Sequence, residues 1–243
     1  MTSVSFVIPV YNKSLYLKHV VRSLKEQKGE FKKEFIFIDD GSSDNSYKKI
    51  VQLTNNLNNS YVIRQENKGS ANATNVGIRL AKMKYIKFLD ADDIILSNAT
   101  SSLFKLLEED DNSILAYGLQ RKVSKLDGVN LEENFNTQNF TKLINPTKKA
   151  MRNSMFNPSQ CLVRAESCKK VGGCDERIKF SQEYSLTLKL SRLGNFLRLN
   201  HPIAILPFKA PGQISEKKVN QIYRVSKALE LFIEEHPDLE ISL

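Results

Sequence analysis

Three carboxylates follow directly on a short apolar segment. Segment 85–89 is a predicted buried strand, and Asp90, Asp92 and Asp93 come immediately after it. Because burying unpaired carboxylates is costly, a strand that ends in three of them indicates a cation at that end. Hard oxygen ligands suit Mg²⁺ or Mn²⁺, which commonly sit between a carboxylate and a diphosphate. A solvated turn would give the same residues, so Asp-x-Asp alone leaves both interpretations open.

The composition indicates a globular α/β protein. The 243 residues include 41% apolar and 26% charged residues, enough for one large domain with a sizeable core. No apolar run reaches the ~18 residues of a membrane helix, and the first residues do not have a signal-peptide pattern. We therefore expect a cytoplasmic protein. Three cysteines without a Cys-x-x-Cys pair predict reduced thiols rather than a disulfide framework or a zinc site.

The first half of the chain alternates between strand and helix patterns. Strands are predicted at 3–10, 35–38, 61–64, 85–89 and 114–117, and helices between them at 17–24, 47–57, 73–81 and 103–107. Four such repeats with short connections predict a parallel, doubly wound sheet. Ligands bind such sheets beyond the carboxyl ends of the strands, so the polar residues that follow the strands are expected to form one site.

The second half has a less regular pattern. Residues 127–158 are polar and predict loops with a short helix, and no linker marks a domain boundary. We place the main domain at 1–210, with one half at about 1–120 and the other at about 121–210. A helical appendage follows at 211–243. The other predicted elements are a strand at 160–163, a helix at 182–193, a strand at 203–206 and a C-terminal amphipathic helix at 222–233.

Positive charge is concentrated in the second half. The net charge of the chain is +9; residues 1–140 hold 19 basic and 17 acidic residues, whereas residues 141–243 hold 17 and 10. A basic region attracts phosphates, nucleic acid or an anionic membrane surface. The lysines are scattered, which favours general solubility instead.

Two further loops carry residues that could bind a nucleotide. Segment 39–44 follows the second strand, and its polar side chains could cap a helix or accept a hydrogen bond from a base or a ribose. Gly69 permits a tight turn before the third helix, and Lys68 could meet a phosphate. Neither a Gly-x-Gly-x-x-Gly motif after the first strand nor a P-loop is present, which disfavours those nucleotide-binding modes.

Several motifs in a fixed order are more specific together than any one alone. Over roughly residues 3–120 the sequence resembles the family 2 glycosyltransferases of the GT-A fold, in segments 7–12, 38–44, 66–69, 75–77 and 88–93. Segment 171–176 resembles a later family segment, with Cys174 where the family usually has an aromatic residue. The resemblance implies an α/β, Rossmann-like GT-A fold. Its mostly parallel central sheet is flanked by helices, with a smaller acceptor-side region and a C-terminal helix.

The resemblance implies transfer of a sugar from a nucleotide-sugar donor to an acceptor hydroxyl, with inversion. Asp39 would contact the base beside Pro9 and Tyr11, and Asp90 would approach the ribose or the metal. The implied metal is Mn²⁺ or Mg²⁺, with Asp92 and Asp90 as its ligands. The full set of implied donor-binding residues is Pro9, Val10, Tyr11, Asn12, Asp39, Asp40, Gly41, Lys68, Gly69, Asn75, Asp90 and Ala91.

The implied catalytic base departs from the family pattern. The family's base is usually the Asp of a Glu-Asp pair at the start of a helix, and the matching residues are Gln182 and Glu183. Glu183 is therefore the implied catalytic residue, with a side chain one methylene longer. Thr74 is a second departure, because the family often has Arg before the Asn. One departure thus lies at the implied base and the other among the donor-side segments.

The implied partners follow from the same resemblance. A UDP-sugar is our first expectation for the donor, with GDP and dTDP open, and a polysaccharide or a lipid-linked glycan precursor is expected as the acceptor. Addition of a single sugar is expected because the chain lacks tryptophan, and with it the Gln-x-x-Arg-Trp signature of processive relatives. We expect no nucleic-acid partner. A peripheral contact with the inner face of a membrane is one interpretation of the basic second half.

Two other functions remain open from the sequence. A nucleotidyltransferase on a related scaffold would need a glycine-rich phosphate loop where segment 11–14 reads Tyr-Asn-Lys-Ser. A nucleotide-sugar-binding or assembly protein with weak or lost catalysis would fit the departures at Thr74, Gln182 and Glu183.

Overall fold

The computed structural model of the chain describes residues 2–178, 182–208 and 218–239. Within these residues there are nine strands: β1 (Ser3–Val10), β2 (Lys32–Asp40), β3 (Ser60–Gln65), β4 (Tyr85–Phe88), β5 (Ile94–Ile95), β6 (Ser113–Val123), β7 (Phe140–Leu143), β8 (Cys161–Arg164) and β9 (Asn195–Pro207). The helices are α1 (Leu17–Lys25), α2 (Ser46–Thr54), α3 (Ser70–Leu80), α4 (Ala99–Glu108), α5 (Thr147–Arg152), α6 (Ala165–Lys170), α7 (Gln182–Ser191) and α8 (Lys218–Glu235). A single 3₁₀ turn, Pro158–Gln160, precedes β8 among the described residues.

All nine strands belong to one mixed sheet. Its order is β3-β2-β1-β4-β8-β6-β9-β5, and β7 also pairs with β9. The first four strands run parallel, as predicted from the four β-α repeats. Beyond β4, strand β8 is antiparallel to both β4 and β6, so β6 again runs in the direction of β4. The carboxyl ends of β1, β2 and β4 therefore meet at one edge.

The central strand β1 is buried on both faces, which explains its almost continuously apolar sequence. Because successive side chains point to opposite faces, Phe6 and Ile8 pack in one hydrophobic cluster with α1, while Val7 packs in the other. The predicted helical stripe of α1 is buried in the first cluster. These buried residues are Leu17, Val20, Val21 and Leu24.

Strands β6 and β9 extend further than their sequence indicates. Strand β9 covers 13 residues, whereas the apolar pattern predicted only 203–206, because Pro202 looked like a strand boundary. Proline lacks the N–H that a ladder needs. The register between β6 and β9 shifts on both sides of Leu119, which is the partner of Pro202, so an irregularity accommodates the proline.

The polar segment 127–158 contains one element that its sequence did not indicate. Helix α5 is the predicted short helix, but Phe140–Leu143 forms β7 on the edge of β9. Four residues with half of their side chains exposed carry little apolar pattern. Strand β5 was missed for a similar reason, since it has only two residues.

Helix α8 packs against α7. Tyr184 and Leu188 of α7 share a hydrophobic cluster with Ala228, Leu231 and Phe232 of α8. The predicted boundary at 210/211 lies outside the described residues, so the proposed division into domains stays a prediction. Within the described chain, α8 is in direct contact with the helix that begins at Gln182.

Two ion pairs reinforce the attachment of α8. Arg192 after α7 binds Asp238 with a nitrogen–oxygen distance of 2.5 Å, and Arg177 binds Glu235. None of the helices in the described ranges combines the length and the apolar character needed to cross a membrane. All three cysteines are buried and have free thiols.

Helix α3 approaches β1 closely through Gly77. A Cβ atom at this position would lie 2.3 Å from Cγ1 of Val7, which is buried in the sheet. In an exposed helix, Gly→Ala would stabilise by about 1 kcal/mol. We expect Gly77→Ala to destabilise instead, by about 1–3 kcal/mol, because the added methyl group overpacks the core. Urea unfolding measures the difference.

The matched control for this substitution is Arg79→Ala on the exposed side of α3. It is expected to change the free energy of unfolding by less than about 0.5 kcal/mol. A stabilising effect of Gly77→Ala would contradict the close packing of α3 on β1.

Candidate active site

The loops after β1 and β2 are joined by Asn12. Its φ of 52° lies in the left-handed region, which asparagine tolerates better than most residues. The Asn12 Oδ1 atom accepts hydrogen bonds from the backbone N–H groups of Ser43 at 2.8 Å and Asp44 at 3.2 Å. Its own N–H donates to Ser42 Oγ at 3.0 Å. The predicted segments 7–12 and 38–44 are therefore adjacent, and Asn12 holds them together.

Asp39 is fully buried, and one of its oxygens lacks a donor. Its Oδ1 accepts the N–H of Ser42 at 3.2 Å and lies 3.3 Å from Arg64 Nε. Oδ2 finds no hydrogen-bond partner anywhere in the described part of the chain. Because a buried acceptor without a donor costs about 1–3 kcal/mol, this atom is suited to accept a hydrogen bond from a ligand.

Asp40 uses its carboxylate to build the loop before α3. Its Oδ1 accepts the N–H of Lys68 and its Oδ2 accepts the N–H of Gly69, both at 2.9 Å. Gly41 has a φ of 71°, and a Cβ atom there would lie 2.8 Å from the backbone nitrogen of Asn67. Asp40 and Gly41 thus position this loop, while the Lys68 side chain is exposed.

Asn75 connects α3 with the segment that precedes α7. Its Nδ2 donates to the carbonyl of Cys174 at 2.9 Å and to Glu176 Oε1 at 2.8 Å, and its Oδ1 accepts the N–H of Cys174 at 2.7 Å. The amide is buried and its groups are engaged within the protein. This arrangement gives Asn75 a positioning role, and a direct contact with a donor stays a prediction.

The turn after β4 is held by a residue that the sequence did not identify. The N–H of Asp93 donates to the carbonyl of Asp90 at 3.1 Å and closes the turn. Ser159 Oγ accepts the N–H of Asp90 at 3.0 Å and donates to Asp93 Oδ2 at 2.6 Å. Ala91 is buried within the turn. Ser159 is about 70 residues away in the chain and belongs to no motif, so nothing in the sequence could have indicated its role.

A buried lysine lies beneath this turn. Lys87 Nζ donates to the carbonyls of Phe88 at 3.0 Å and Ser159 at 2.5 Å, and it has no exposed surface. Burial lowers the pKa of Lys87 to about 8. A lysine within an otherwise apolar strand is a signal that could have been recognised in the sequence.

Asp92, another carboxylate of the turn, forms an ion pair with a different lysine, Lys13. Lys13 Nζ lies 2.6 Å from Asp92 Oδ2, and the two side chains are only 16% and 13% exposed. Lys13 comes from the loop after β1, so this ion pair joins the ends of β1 and β4. The sequence placed Lys13 in segment 11–14 but gave it no role.

The carboxylates of this site exceed the positive charge near them. Burial raises the pKa of Asp90 to about 7, and the charges of Asp92 and Glu183 add to the effect. Lys13 and Lys87 offset it only in part. Additional positive charge would therefore stabilise the ionised form of Asp90.

The donor set of Asp90 and Asp92 fits Mg²⁺ or Mn²⁺, because both prefer carboxylate oxygens. Across the described ranges, no three His, Cys, Asp or Glu side chains are grouped closely enough to hold a metal. Mg²⁺ usually keeps only one or two carboxylates and takes its other ligands from phosphates and water. Two aspartates are therefore compatible with a cation that binds together with a diphosphate.

Glu183 and Asp90 line the same mainly apolar cavity, with Pro9 and Thr74 among its other walls. Glu183 lies in the first turn of α7, and burial raises the pKa of its carboxyl to about 7. Cys174 lines the cavity as well, with a smaller side chain than the aromatic residue implied by the resemblance. The carboxyl of Glu183 and the turn after β4 thus border the same cavity.

The remaining predicted residues of β1 and its loop differ in exposure. Val10 is buried in the core, whereas Tyr11 is 48% exposed. Pro9 contributes to the cavity shared with Glu183. Tyr11 therefore offers an exposed aromatic surface at the end of β1, and the neighbouring Asn12 joins this end to the loop after β2.

The fold is that of the GT-A glycosyltransferases. TarS of S. aureus, solved in complex with UDP-GlcNAc, superposes with a TM-score of 0.75 at 18% identity, covering 96% of this chain and 66% of that one. A mannosyltransferase from Pyrobaculum calidifontis, in complex with GDP-Man and Mn²⁺, gives a TM-score of 0.69 at 15% identity, covering 97% and 64%. Identities this low show the fold alone, and the predicted fold class is confirmed.

The sequence establishes the family. A family model described as "Glycosyl transferase family 2" matches residues 5–172, and the chain belongs to that family. Glycosyltransferase GlyG of Streptococcus pneumoniae is 37% identical over 113 residues, which are 46% of this chain and 37% of GlyG. Chondroitin synthase of Pasteurella multocida is 28% identical over 197 residues, 81% of this chain and 20% of that enzyme. The chain thus spans well under half the length of these relatives.

The hydroxyl of Ser159 allows a test of how the turn is held. Ser159→Ala would leave a buried carboxylate oxygen of Asp93 and the N–H of Asp90 without their partner. We expect a loss of about 1–3 kcal/mol in the free energy of unfolding. Heat or urea unfolding measures it. Ser23→Ala is the matched control, because Ser23 is equally buried but donates only to a carbonyl in its own helix. Equal losses would contradict the special role of Ser159.

Proposed function

We propose that this protein transfers a single sugar from a nucleotide-sugar donor to the hydroxyl of a glycan or lipid-linked acceptor, with inversion and with the help of a divalent cation. The observation that carries the proposal is the pair of carboxyls, Asp90 and Glu183, that line one cavity between the sheet and α7. The first belongs to a turn with ligands for a cation, and the second has the raised pKa of a general base. Membership of glycosyltransferase family 2 supports it.

The base of the nucleotide would bind at the ends of β1 and β2. Asp39 Oδ2 is buried and lacks a donor within the described residues, so it would accept an N–H of the base. Tyr11 would present its exposed ring to the base. The complexes of TarS with UDP-GlcNAc and of the mannosyltransferase with GDP-Man support a nucleoside diphosphate sugar. UDP is our first choice, with GDP and dTDP as the alternatives.

Asp90 and Asp92 would hold Mn²⁺ or Mg²⁺ beside the diphosphate. When bound, the cation would supply Lewis-acid stabilisation of the negative charge on the departing diphosphate. The raised pKa of Asp90 and the Mn²⁺ in the mannosyltransferase structure support this assignment. Asp40, Gly41 and Asn75 would act by positioning the surrounding loops, and Lys68 and Gly69 would border the donor.

Glu183 would accept the proton of the acceptor hydroxyl. As the new bond forms between the acceptor oxygen and the anomeric carbon, the bond to the diphosphate oxygen breaks on the opposite side, which inverts the configuration. The proton moves to the Glu183 carboxylate. A general base of this kind typically contributes 10²–10⁴-fold to the rate. Burial favours a pKa near the working pH, where such a base is most effective.

The acceptor is expected to be a growing polysaccharide or its lipid-linked precursor. The relative named chondroitin synthase supports a glycan acceptor, although the chain covers only 20% of that enzyme. The cytoplasmic location and the contact of the basic second half with a membrane surface stay predictions.

Donor binding tests the cation assignment. We expect one of UDP, GDP or dTDP to bind in the presence of Mn²⁺, and Asp92→Asn to weaken that binding at least about tenfold, because a charged ligand of the cation is lost. Isothermal calorimetry with and without Mn²⁺ measures it. Asp111→Asn is the control, since its side chain is 99% exposed. Metal-independent binding that Asp92→Asn leaves unchanged would contradict the assignment.

The role of Glu183 predicts a pH dependence. A base must be unprotonated, so the transfer rate is expected to rise tenfold per pH unit below the pKa of about 7 and to level off above it. The ionisable groups that face Glu183 are Asp90, Cys161 and Cys174. Both cysteine thiols have pKa values raised by burial, so they stay neutral in this range. Transfer rates measured at saturating donor from about pH 5 to about pH 9 check this profile.

Glu183→Gln is expected to lower the transfer rate by about 10²–10⁴-fold while donor binding stays within about twofold of the native protein. Glu183→Asp serves as the control that keeps the carboxylate. If the native chain bound the donor but neither transferred nor hydrolysed it, and Glu183→Gln changed nothing, the protein would be a nucleotide-sugar-binding member of the family.

A further inference from the structure

The most enclosed ion pair among the described residues lies at the proposed cation site. Lys13 Nζ and Asp92 Oδ2 are 2.6 Å apart, and each side chain is less than a fifth exposed. Every other ion pair of the described chain has at least one partner that is more than a fifth exposed. An oxygen that accepts a hydrogen bond from an ammonium group cannot direct the same lone pair at a metal.

The backbone of Lys13 is fixed, but its side chain can change partners. The N–H of Lys13 donates to Ser46 Oγ at 2.8 Å, and its carbonyl accepts the N–H of Tyr16 at 2.9 Å. These bonds hold the residue between β1 and α1. Lysine carries a compact charge on a flexible four-carbon chain, so the ammonium group can turn while the backbone stays in place.

We propose that Lys13 is a resident cation that holds Asp92 while the donor is absent, opposes the binding of free Mn²⁺ or Mg²⁺, and turns to the diphosphate when the donor and the metal bind together. This inference rests on the proposed function, because it takes Asp92 as a metal ligand. It makes Lys13 the residue that determines the order in which the site is filled.

Electrostatics indicates the size of the effect. A unit positive charge about 4 Å from a divalent cation opposes its binding by roughly thirtyfold even in water. The diphosphate removes this opposition in two ways, since it adds negative charge and offers the ammonium group a new partner. Nucleotide and metal would therefore bind cooperatively, and each would raise the affinity of the other by the same factor.

The test is a titration of the full chain with Mn²⁺, in which paramagnetic resonance reports the free ion, with and without UDP. Without UDP, Lys13→Met is expected to bind Mn²⁺ at least about tenfold more tightly than the native chain. With UDP this advantage is expected to disappear, so the cooperativity between UDP and Mn²⁺ falls by a similar factor. Neither readout requires transfer activity.

Lys49→Met is the matched control. Lys49 also contacts the loop after β1, through a hydrogen bond of 2.9 Å to the carbonyl of Ser14, but its partner is not a carboxylate. Its Mn²⁺ affinity is expected to stay within about twofold of the native value, because no charge beside Asp92 changes. Heat unfolding checks that each variant folds. If Lys13→Met does not fold, Lys13→Gln removes the same charge and carries the same expectation.

The two possible failures can be distinguished. Equal Mn²⁺ affinities of the native chain and Lys13→Met without UDP would overturn the role of Lys13, while a loss of Mn²⁺ binding in Asp92→Asn would leave the proposed cation site intact. If the native chain bound no Mn²⁺ even with UDP, the cation assignment itself would fail, and the inference with it.

Discussion

The concentration of negative charge at the end of β4 is the constraint on which the rest of the site depends. Asp90, Asp92 and Asp93 follow one buried strand, and Glu183 faces the same cavity from α7. Burial raises the pKa values of both Asp90 and Glu183 to about 7, because it disfavours their charged forms. Such a cluster is tolerated because Ser159 and the buried lysine beneath it fix the turn. The cost of holding these carboxyls together is a reason to expect that a ligand completes the site.

The motif residues divide into those that build the edge of the sheet and those that remain available to a ligand. The side-chain oxygens of Asn12 and Asp40 bind backbone N–H groups of neighbouring loops, and the amide of Asn75 binds the segment before α7. Asp39 Oδ2 and the ring of Tyr11 have no such engagement within the described residues. A nucleotide bound as proposed would therefore meet loops that are already held in place, which would lower the entropy cost of ordering them.

The parallel half of the fold could be predicted because its central strands β1, β2 and β4 are largely apolar and buried, and helices with apolar stripes separate the strands. The same patterns located the strand ends and thus the region of the site. Strand β7 could not be predicted, since an edge strand of four residues needs few apolar side chains. The contacts of Ser159 with Asp93 and of Lys13 with Asp92 join residues 66 and 79 positions apart, and single polar residues carry no periodicity that would connect them. Pairing of this kind is decided by tertiary structure alone.

The position of Glu183 depends on attachments to α7 from two sides. On one side, Asn75 holds the segment that leads into the helix; on the other, α8 covers Tyr184, the residue next to Glu183. If Glu183 acts as the proposed base, it must come within about 3 Å of the acceptor hydroxyl, so a small displacement of α7 would matter more for catalysis than for stability. The C-terminal helix would therefore affect the proposed chemistry through packing, although none of its described side chains lines the cavity. A glutamate in place of an aspartate extends the carboxyl by one methylene, and the cavity that Glu183 lines is bordered by Cys174, which is smaller than the aromatic residue implied by the resemblance.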